Sequence, residues 1–458
     1  MLFHSQFFIL VFLPIVLVAF YAAARRPVLR EWVLLAASLV FYAWWDPRFL
    51  PLLIGQTIAT WAAAEMYWRT RVRWWLRIGI ALNLASLLFF KYTAFLAGSL
   101  VALSGVALPP ISIVLPIGIS FFTFQLVSYL IDLGRGADQH YPWRRVCLFI
   151  SLFPHLVAGP IVRHNEIMPQ LDADPLRPGL AERFAKGLAF FAVGCAKKVF
   201  LADPLARSAD PIFLSATTSI PTLLDAWHGA LAFSFQLLLD FSAYTEMAIG
   251  LGLMLGVRFP DNFDVPYRAA DLRDFWRRWH MTLSRYLRDY LYIPLGGSRA
   301  GWGRYVLASL VTMGLCGLWH GAGWTFVVWG LMHGVGLIVC RAWQDWGRPL
   351  PWLVGWALTM LFVLVGWVLF RAVDFAAAGR MLAGLVGLGG FGAPLVPLKP
   401  VLAVAAVVCV LGPSTKQVVE GGYLKPWALH GAAVAAALAA AILAVGVGQP
   451  NTFIYFQF

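Results

Sequence analysis

Residues 304–341 read RYVLASLVTMGLCGLWHGAGWTFVVWGLMHGVGLIVCR, and no Asp, Glu, Lys or Arg lies between Arg304 and Arg341. A membrane crossing needs only ~20 apolar residues at ~1.5 Å of rise each, so this run is longer than one span. We predict a broken helical hairpin over residues 305–341, interrupted at the glycines around His320. Because an ionisable side chain is costly at membrane depth, His320 is a candidate functional residue.

The composition is typical of a polytopic membrane protein. Of the 458 residues, 60% are hydrophobic and 12% are charged, and the mean hydropathy is +0.75. The net charge of +13 is explained by arginines on cytoplasmic loops rather than by a nucleic-acid partner. The five cysteines are scattered without a C-x-x-C pair, so we expect neither a disulfide framework nor a metal site.

Arginine clusters predict the orientation of the chain. They follow the first and the third apolar segments, at Arg25, Arg26 and Arg30 and at Arg69, Arg71, Arg73 and Arg77. Both loops are therefore expected in the cytoplasm, which leaves the N-terminus on the outer side of the membrane. The first apolar segment lacks a basic start and is expected to be a retained span rather than a cleaved signal. In total, the hydropathy pattern allows ten to thirteen membrane segments, including re-entrant pieces.

Residues 226–257 form a long apolar segment that carries polar side chains. Gln236, Asp240 and Tyr244 recur at i, i+4 spacing, which places them on one face of a helix. Lipid does not tolerate such groups, so this face is predicted to point into a helix bundle or a water-filled cavity, or to make structural hydrogen bonds. The segment is long enough to hold a broken pair of spans. Upstream of it, Lys197 and Lys198 are interpreted as side chains that snorkel from a span end.

The most polar stretch, residues 258–304, is predicted to be a cytoplasmic interfacial amphipathic segment. At ~100° per residue its apolar side chains form one stripe of a single helix. The stripe consists of Leu272, Phe275, Trp276, Trp279, Leu283, Tyr286, Leu287 and Tyr290. His280 lies on its border. Arg277 and Arg278, on the other side, are candidates for binding phosphate groups, although positive-inside bias or anionic lipid is the better explanation for most arginines here.

Seven short motifs follow one another along nearly the whole chain. They are LVFYAWW (39–45), LPIGISF (115–121), FPHLVAGP (153–160), DFWRRWH (274–280), LRDYLYIPLGG (287–297), GLWHGA (317–322) and FIYFQF (453–458). In this order they resemble the motifs of the membrane-bound O-acyltransferases, in the bacterial branch that serves alginate acetylation and teichoic acid D-alanylation. One segment departs from that branch, since residues 241–247 read FSAYTEM where similar proteins have FSGYSDM.

The resemblance implies an all-α polytopic membrane protein in which residues 1–458 form a single transmembrane domain. It implies a ring of roughly eleven transmembrane helices, with re-entrant and interfacial helices, around a thin central region. The family's essential histidine corresponds to His320, and its second, less uniform histidine to His280. Trp319, beside His320, joins Gln236, Asp240 and Tyr244 as a candidate tunnel residue. His155 and His333 resemble family positions as well and are expected to be structural.

Acyl transfer from a thioester to an alcohol requires a base for the hydroxyl proton. Histidine is the usual base because its ordinary pKa of ~6.5 lies near working pH. We therefore predict that His320 is the general base, with no bound cofactor or metal. The donor is expected to be acetyl-CoA or another acyl thioester on the cytoplasmic side. His280 is predicted to orient the donor or the acceptor, or else to cap an interfacial patch.

The predicted activity is that of a bacterial inner-membrane O-acetyltransferase for exopolysaccharides of the alginate or cellulose type. Its expected partners are a periplasmic acetyltransferase, a polysaccharide synthase complex and membrane lipid, without nucleic acid. A non-catalytic transporter of polysaccharide or acyl carrier is the alternative from another class. It is disfavoured because many transporters have two similar halves with paired broken helices, and no such repeat is visible in this sequence. D-alanylation through a carrier protein is a third possibility.

Overall fold

The computed structural model describes residues 1–105, 109, 111–137, 139–424 and 428–447. Across these residues the regular secondary structure is helical, without a strand, so the all-α prediction is confirmed. The aromatic tail at 453–458, one of the seven sequence motifs, lies outside the described residues.

The chain divides into two compact units. Unit 1 contains Met1–Phe191 and Thr245–Pro260, and unit 2 contains Ala192–Tyr244 and Asp261–Phe458. The first ten helices in chain order are α1 Leu13–Ala22, α2 Pro27–Ala43, α3 Leu50–Thr70, α4 Trp74–Leu87, α5 Thr93–Ser104, α6 Ile119–Gly134, α7 Trp143–Ser151, α8 Phe153–Leu156, α9 His164–Leu171 and α10 Leu180–Lys197.

The later helices carry most of the predicted site residues. They are α11 Asp203–Ser215, α12 Leu223–Met254, α13 Leu272–Arg278, α14 Met281–Leu287, α15 Trp302–His320, α16 Trp324–Asp345, α17 Trp352–Arg371, α18 Phe375–Leu385, α19 Pro400–Val410, α20 Thr415–Glu420 and α21 Ala428–Val447. Short π-helical turns at Leu88–Tyr92, Lys198–Ala202 and Arg288–Tyr292 extend α4, α10 and α14.

Five helical stretches of the described chain are long and apolar enough to cross a membrane. They are Trp74–Ser104, Leu223–Met254, Trp324–Asp345, Trp352–Arg371 and Leu429–Gly446. The chain is thus a multi-pass membrane protein, but the predicted count of about eleven spans is not confirmed. Several other apolar helices, such as Ile119–Gly134 and Pro400–Val410, are shorter than a full crossing.

α12 is a single helix of 32 residues, so the sequence-based suggestion of a broken pair in this segment is wrong. Its interior contains no proline, the residue that most often breaks a helix. Its most apolar stretch is almost wholly buried. A buried position explains how this helix keeps polar side chains, since protein rather than lipid surrounds them.

α15 and α16 form a hairpin whose break follows His320. The backbone becomes extended at Gly321 and Gly323 before α16 begins. Further from the break the two helices touch at glycines. A methyl group on Gly317 would overlap the carbonyl oxygen of Phe326, and one on Gly330 would overlap that of Met313. Two backbones that approach this closely leave no space for a side chain, which is the usual function of small residues in membrane helices.

The segment that follows Asp271 is not the single amphipathic helix predicted from its periodicity. α13 ends at Arg278, and α14 begins at Met281 after His280, which has a left-handed backbone (φ 43°, ψ 52°). Seven of the eight stripe residues are nevertheless buried, all except Tyr290. Each short helix therefore keeps its apolar face, while the break between them turns the His280 side chain into the core.

Candidate functional site

His320 is the last residue of α15 and is 4% exposed. Aromatic rings surround its imidazole, with centroid distances of 4.9 Å to Trp319, 5.3 Å to Trp329 and 5.4 Å to Phe370. Trp319 belongs to the same helix, Trp329 to α16 and Phe370 to α17. Three helices of unit 2 thus hold the ring in a largely apolar enclosure at the break of the hairpin.

His280 is fully buried, and its ring is held at one nitrogen. Its Nδ1 lies 3.0 Å from Oδ1 of Asn262, and its Nε2 has no hydrogen-bond partner among the described residues. Burial lowers the pKa of His280 to about 3, so the imidazole is neutral at physiological pH. The left-handed backbone at this residue costs on the order of 1–3 kcal/mol for a side chain other than glycine. Such strain is found where surrounding contacts over-determine a functional position.

The two predicted catalytic histidines are brought together. Their ring centroids lie 6.3 Å apart, with the ring planes at 57°. Trp319 touches both rings, at 6.1 Å from His280 and 4.9 Å from His320. Phe241 of α12 packs edge-on against His280 at 4.7 Å. The result is a buried centre in which two imidazoles and an indole lie in contact.

The polar face of α12 is buried, but one of its members has a specific structural partner. Gln236, Asp240 and Tyr244 are each less than 10% exposed. Asp240 lies 2.8 Å from Nζ of Lys198, which is equally close to Asp203. Lys198 is 3% exposed, so its interpretation as a snorkelling side chain is wrong. It is the cation of a buried ion-pair cluster that joins α12 to the start of α11.

An arginine-lined cavity opens in unit 2, which also contains the histidine pair, and Met281 in its lining follows His280 directly in the chain. Its volume is about 530 Å³, and no acidic residue is among those that line it. Its arginines are Arg273, Arg277, Arg285, Arg288 and Arg341. Of the two arginines predicted to bind donor phosphates, Arg277 therefore lines the cavity. Arg278 does not, because its guanidinium pairs with Asp274 at 2.9 Å.

A narrower chamber of about 190 Å³ shares part of this lining, including Trp276, Ser284 and Arg288, and extends to Thr312 and Met313. Trp276 connects the cavity with the buried centre. Its Nε1 donates a hydrogen bond to Nδ1 of His333 at 3.3 Å, and its ring lies 6.1 Å from Trp329, which packs on His320.

Sequence reasoning did not select Asn262 or Trp276 as site residues. Asn262 follows Pro260 and Asp261, a composition typical of a loop in which polar side chains satisfy the local backbone. Trp276 was assigned to an apolar stripe, where it does lie. No sequence signal distinguishes a stripe residue that seals a cavity from one that only fills the core. In the described part of the chain no cluster of His, Cys, Asp or Glu is arranged to hold a metal ion.

The sequence is similar to those of known acyl-transfer proteins. Residues 113–373 match the model of the membrane-bound O-acyltransferase family, MBOAT. A protein named "Probable alginate O-acetylase AlgI" from Pseudomonas syringae is 42% identical over 400 residues, which cover 84% of this chain and 75% of that protein. A peptidoglycan O-acetyltransferase from Helicobacter pylori is 38% identical over 423 residues, covering 84% and 80%. A teichoic acid D-alanyltransferase from Bacillus subtilis is 26% identical over 291 residues, covering 58% and 71%.

Proposed function

Since this chain belongs to the membrane-bound O-acyltransferase family, we propose that it takes acetyl groups from a cytoplasmic thioester and delivers them across the bacterial inner membrane for exopolysaccharide O-acetylation. The single observation that carries the proposal is the buried pair of His280 and His320, in the same unit as an arginine-lined cavity. The two features supply, within one unit, the base and the donor-binding charge that such a reaction needs.

In the proposed reaction His320 is the general base. A neutral ring nitrogen of His320 accepts the proton of the acceptor hydroxyl while that oxygen attacks the thioester carbonyl carbon. The carbon–sulfur bond then breaks, and the imidazolium returns the proton to the departing thiolate. The products are the O-acetyl ester and a free thiol, and His320 is regenerated as the neutral imidazole. Acid–base help of this kind contributes on the order of 10²–10⁴ in rate.

The arginine-lined cavity is the proposed donor entrance. Acetyl-CoA and the phosphopantetheine of an acyl carrier both present phosphates, for which the planar guanidinium is a favourable partner. The narrower chamber next to Thr312 and Met313 then accepts the thioester arm. In this arrangement Arg277 binds phosphate directly. Gln236, Tyr244 and Trp319 are proposed to line the path of the substrates, whereas Asp240 serves chiefly through its ion pair.

The proposed acceptor is an alginate- or cellulose-type exopolysaccharide, or a periplasmic acetyltransferase that passes the acetyl group on. The similarity to alginate O-acetylases of 42% identity supports this choice over D-alanyl transfer, for which the similarity is 26% over a shorter stretch. The proposed partners are that periplasmic enzyme and a polysaccharide synthase complex, with the N-terminus of the chain in the periplasm. The relatives are named as transferases, which favours an enzyme over a non-catalytic transporter.

The proposal is tested with the purified full-length protein in liposomes. Radiolabelled acetyl-CoA, an acetylated acyl carrier and a D-alanyl carrier are supplied in turn, with alginate, cellulose or peptidoglycan fragments as acceptors. We expect ester formation on an exopolysaccharide from an acetyl donor and its loss in His320→Ala, while membrane insertion is retained. Normal acetylation by His320→Ala would rule out this histidine as the base. Transport of an acceptor without any ester formation would favour the transporter.

A further inference from the structure

Asn262 is a loop residue of unit 2 that lies against His280 and is 1% exposed. Its Oδ1 faces three groups: Nδ1 of His280 at 3.0 Å, the backbone nitrogen of Thr282 at 3.2 Å and Oγ1 of Thr282 at 3.0 Å. Its backbone oxygen also accepts a hydrogen bond from the backbone nitrogen of Met281 at 2.9 Å. Asn262 thus binds the imidazole of His280 at the strained turn and also the two residues that follow it, Met281 and Thr282.

These contacts determine the orientation of the Asn262 amide. A backbone N–H only donates, so the side-chain atom that faces the Thr282 nitrogen has to be the carbonyl oxygen. With the oxygen in that position, the His280 nitrogen opposite it must carry a proton, because two lone pairs 3.0 Å apart would repel each other. The neutral imidazole has one N–H. Its Nε2 is therefore an unprotonated acceptor.

We propose that Asn262 is a positioning residue that fixes the tautomer of His280, so that Nε2 of His280 accepts a hydrogen bond from an O–H or N–H group of the bound substrate. This inference rests on the proposed acyl-transfer function. It gives His280 a role other than that of the general base, His320, and other than that of an oxyanion donor. A nitrogen without a proton cannot donate a hydrogen bond to the oxyanion that forms on the thioester carbonyl. His280 instead holds the substrate in place beside the base.

The geometry favours this role over a purely structural one. His280 Nε2 is buried and has no partner among the described residues, although an unpaired buried polar atom costs about 1–3 kcal/mol. A substrate donor would satisfy that atom. His155 and His333 also leave Nε2 without a partner among the described residues, but the ring of His280 is the one that packs against His320. The His280 ring lies 6.3 Å from the His320 ring, so the unpaired nitrogen belongs to a ring of the proposed site.

In the structure described, the titratable side chain whose ring contacts His280 is His320. The carboxylates on the neighbouring elements pair with other residues. On α12, Asp240 is next to Phe241 but pairs with Lys198 at 2.8 Å. On the Asn262 loop, Asp261 pairs with Lys416 at 2.8 Å. On α13, Asp274 pairs with Arg278. A new carboxylate at position 262 would therefore act on His280 without competition from a closer charge.

The test uses two substitutions of Asn262 and a matched control in the full-length protein. Asn262→Asp keeps the acceptor oxygen and the tautomer but adds a negative charge, whereas Asn262→Leu removes the acceptor. The control is Asn83→Leu in unit 1, where Asn83 is 2% exposed and bonds to Thr60 and Gly79. Acetyl transfer is measured against pH with acetyl-CoA and the best acceptor of the wild-type protein.

We expect Asn262→Leu to lower kcat/KM by ~10-fold or more, as the loss of a partner that orients a functional histidine does elsewhere. Asn83→Leu should stay close to wild type. Asn262→Asp should remain active at high pH, with its acidic limb shifted upward by ~1–3 pH units, because a carboxylate at this distance favours the charged imidazole. If Asn262→Leu does not fold, the pH profile of Asn262→Asp decides alone.

A profile of Asn262→Asp that superimposes on the wild-type profile, or full activity of Asn262→Leu, would overturn the inference. In either case the proposed function stands as long as His320→Ala is inactive. An inactive wild-type protein with every donor would instead contradict the proposed function itself. The two failures are thus distinguishable.

Discussion

The imidazole of His280 lies 6.3 Å from that of His320, and Trp319 touches both rings. The two histidines come from segments 40 residues apart in the chain, as their numbers show. His280 lies at a strained turn, and His320 ends a helix. Two functional groups held on separate elements but in contact through one indole should act together rather than independently.

This relationship predicts non-additive effects of substitution. His320→Ala should lower kcat by ~10²–10⁴, the range expected for loss of a general base. His280→Gln should cost less, since the glutamine amide can still accept a hydrogen bond. The double variant should be about as slow as His320→Ala alone, because residues that act as one unit do not contribute separately. Single-turnover kinetics of all three proteins measure this, and strictly multiplicative losses would contradict a shared site.

The donor cavity predicts a charge effect on binding. Arg277 is exposed and lines the cavity, so Arg277→Gln should raise KM for an acetyl donor roughly 10-fold, equivalent to about 1.4 kcal/mol. The change in kcat should be small, because the phosphates are remote from the reacting carbon. Arg73→Gln is the control, since Arg73 is an exposed arginine of unit 1.

The effect of Arg277→Gln should shrink as salt rises, because counter-ions screen exposed charges. A KM that is equally high at low and high ionic strength would indicate that the substitution altered the shape of the cavity instead. An equal rise in KM for Arg73→Gln would show that surface charge in general attracts the donor.

Local sequence patterns predicted the helical class and the hairpin residues well. Apolar periodicity can be recognised from residues that are close together in the sequence, and so can an ionisable side chain within a long apolar run. For this reason His320 could be selected as a candidate from the sequence alone. The break at His280 was not visible, because no glycine or proline marks it and both short helices keep the same stripe in phase. The left-handed turn depends on Asn262, which is 18 residues away and supplies the hydrogen bonds that hold it.

Lys198 shows a second limit of sequence-based prediction. Its partner Asp240 lies 42 residues away on another helix, so nothing near Lys198 in the sequence distinguishes a buried cation from a snorkelling one. The donor cavity could not be predicted from the sequence for the same reason. Its arginines come from three different segments, and charge bias at a membrane surface would place similar arginines there without a cavity.

The contact between α15 and α16 predicts the effect of a small substitution. Gly317→Ala should destabilise the hairpin by about 1–3 kcal/mol and reduce acetyl transfer, since a methyl group there overlaps the backbone of Phe326. Gly303→Ala, in the same helix but with open space around it, should be neutral. Thermal unfolding in detergent compares the two. Equal stability of both variants would show that α15 and α16 separate readily.

The two ion pairs of Lys198 predict a large effect on the stability of the protein. Lys198→Met leaves Asp203 and Asp240 without their shared cation in a buried position, and breaking a buried pair by removing one partner costs ~3–5 kcal/mol. Lys186→Met is the matched control. Lys186 pairs with Glu182 at 2.6 Å on an exposed helix surface, where such pairs contribute only ~0–1 kcal/mol.

Denaturation in mixed micelles measures both variants against the wild type. Adding Asp240→Asn to Lys198→Met should recover part of the lost stability, because it removes one of the two stranded charges while keeping the shape of the side chain. No recovery in the double variant would show that Lys198 stabilises the protein by packing of its alkyl chain rather than by its charge. A loss in Lys186→Met as large as in Lys198→Met would contradict the distinction between buried and exposed pairs in this protein.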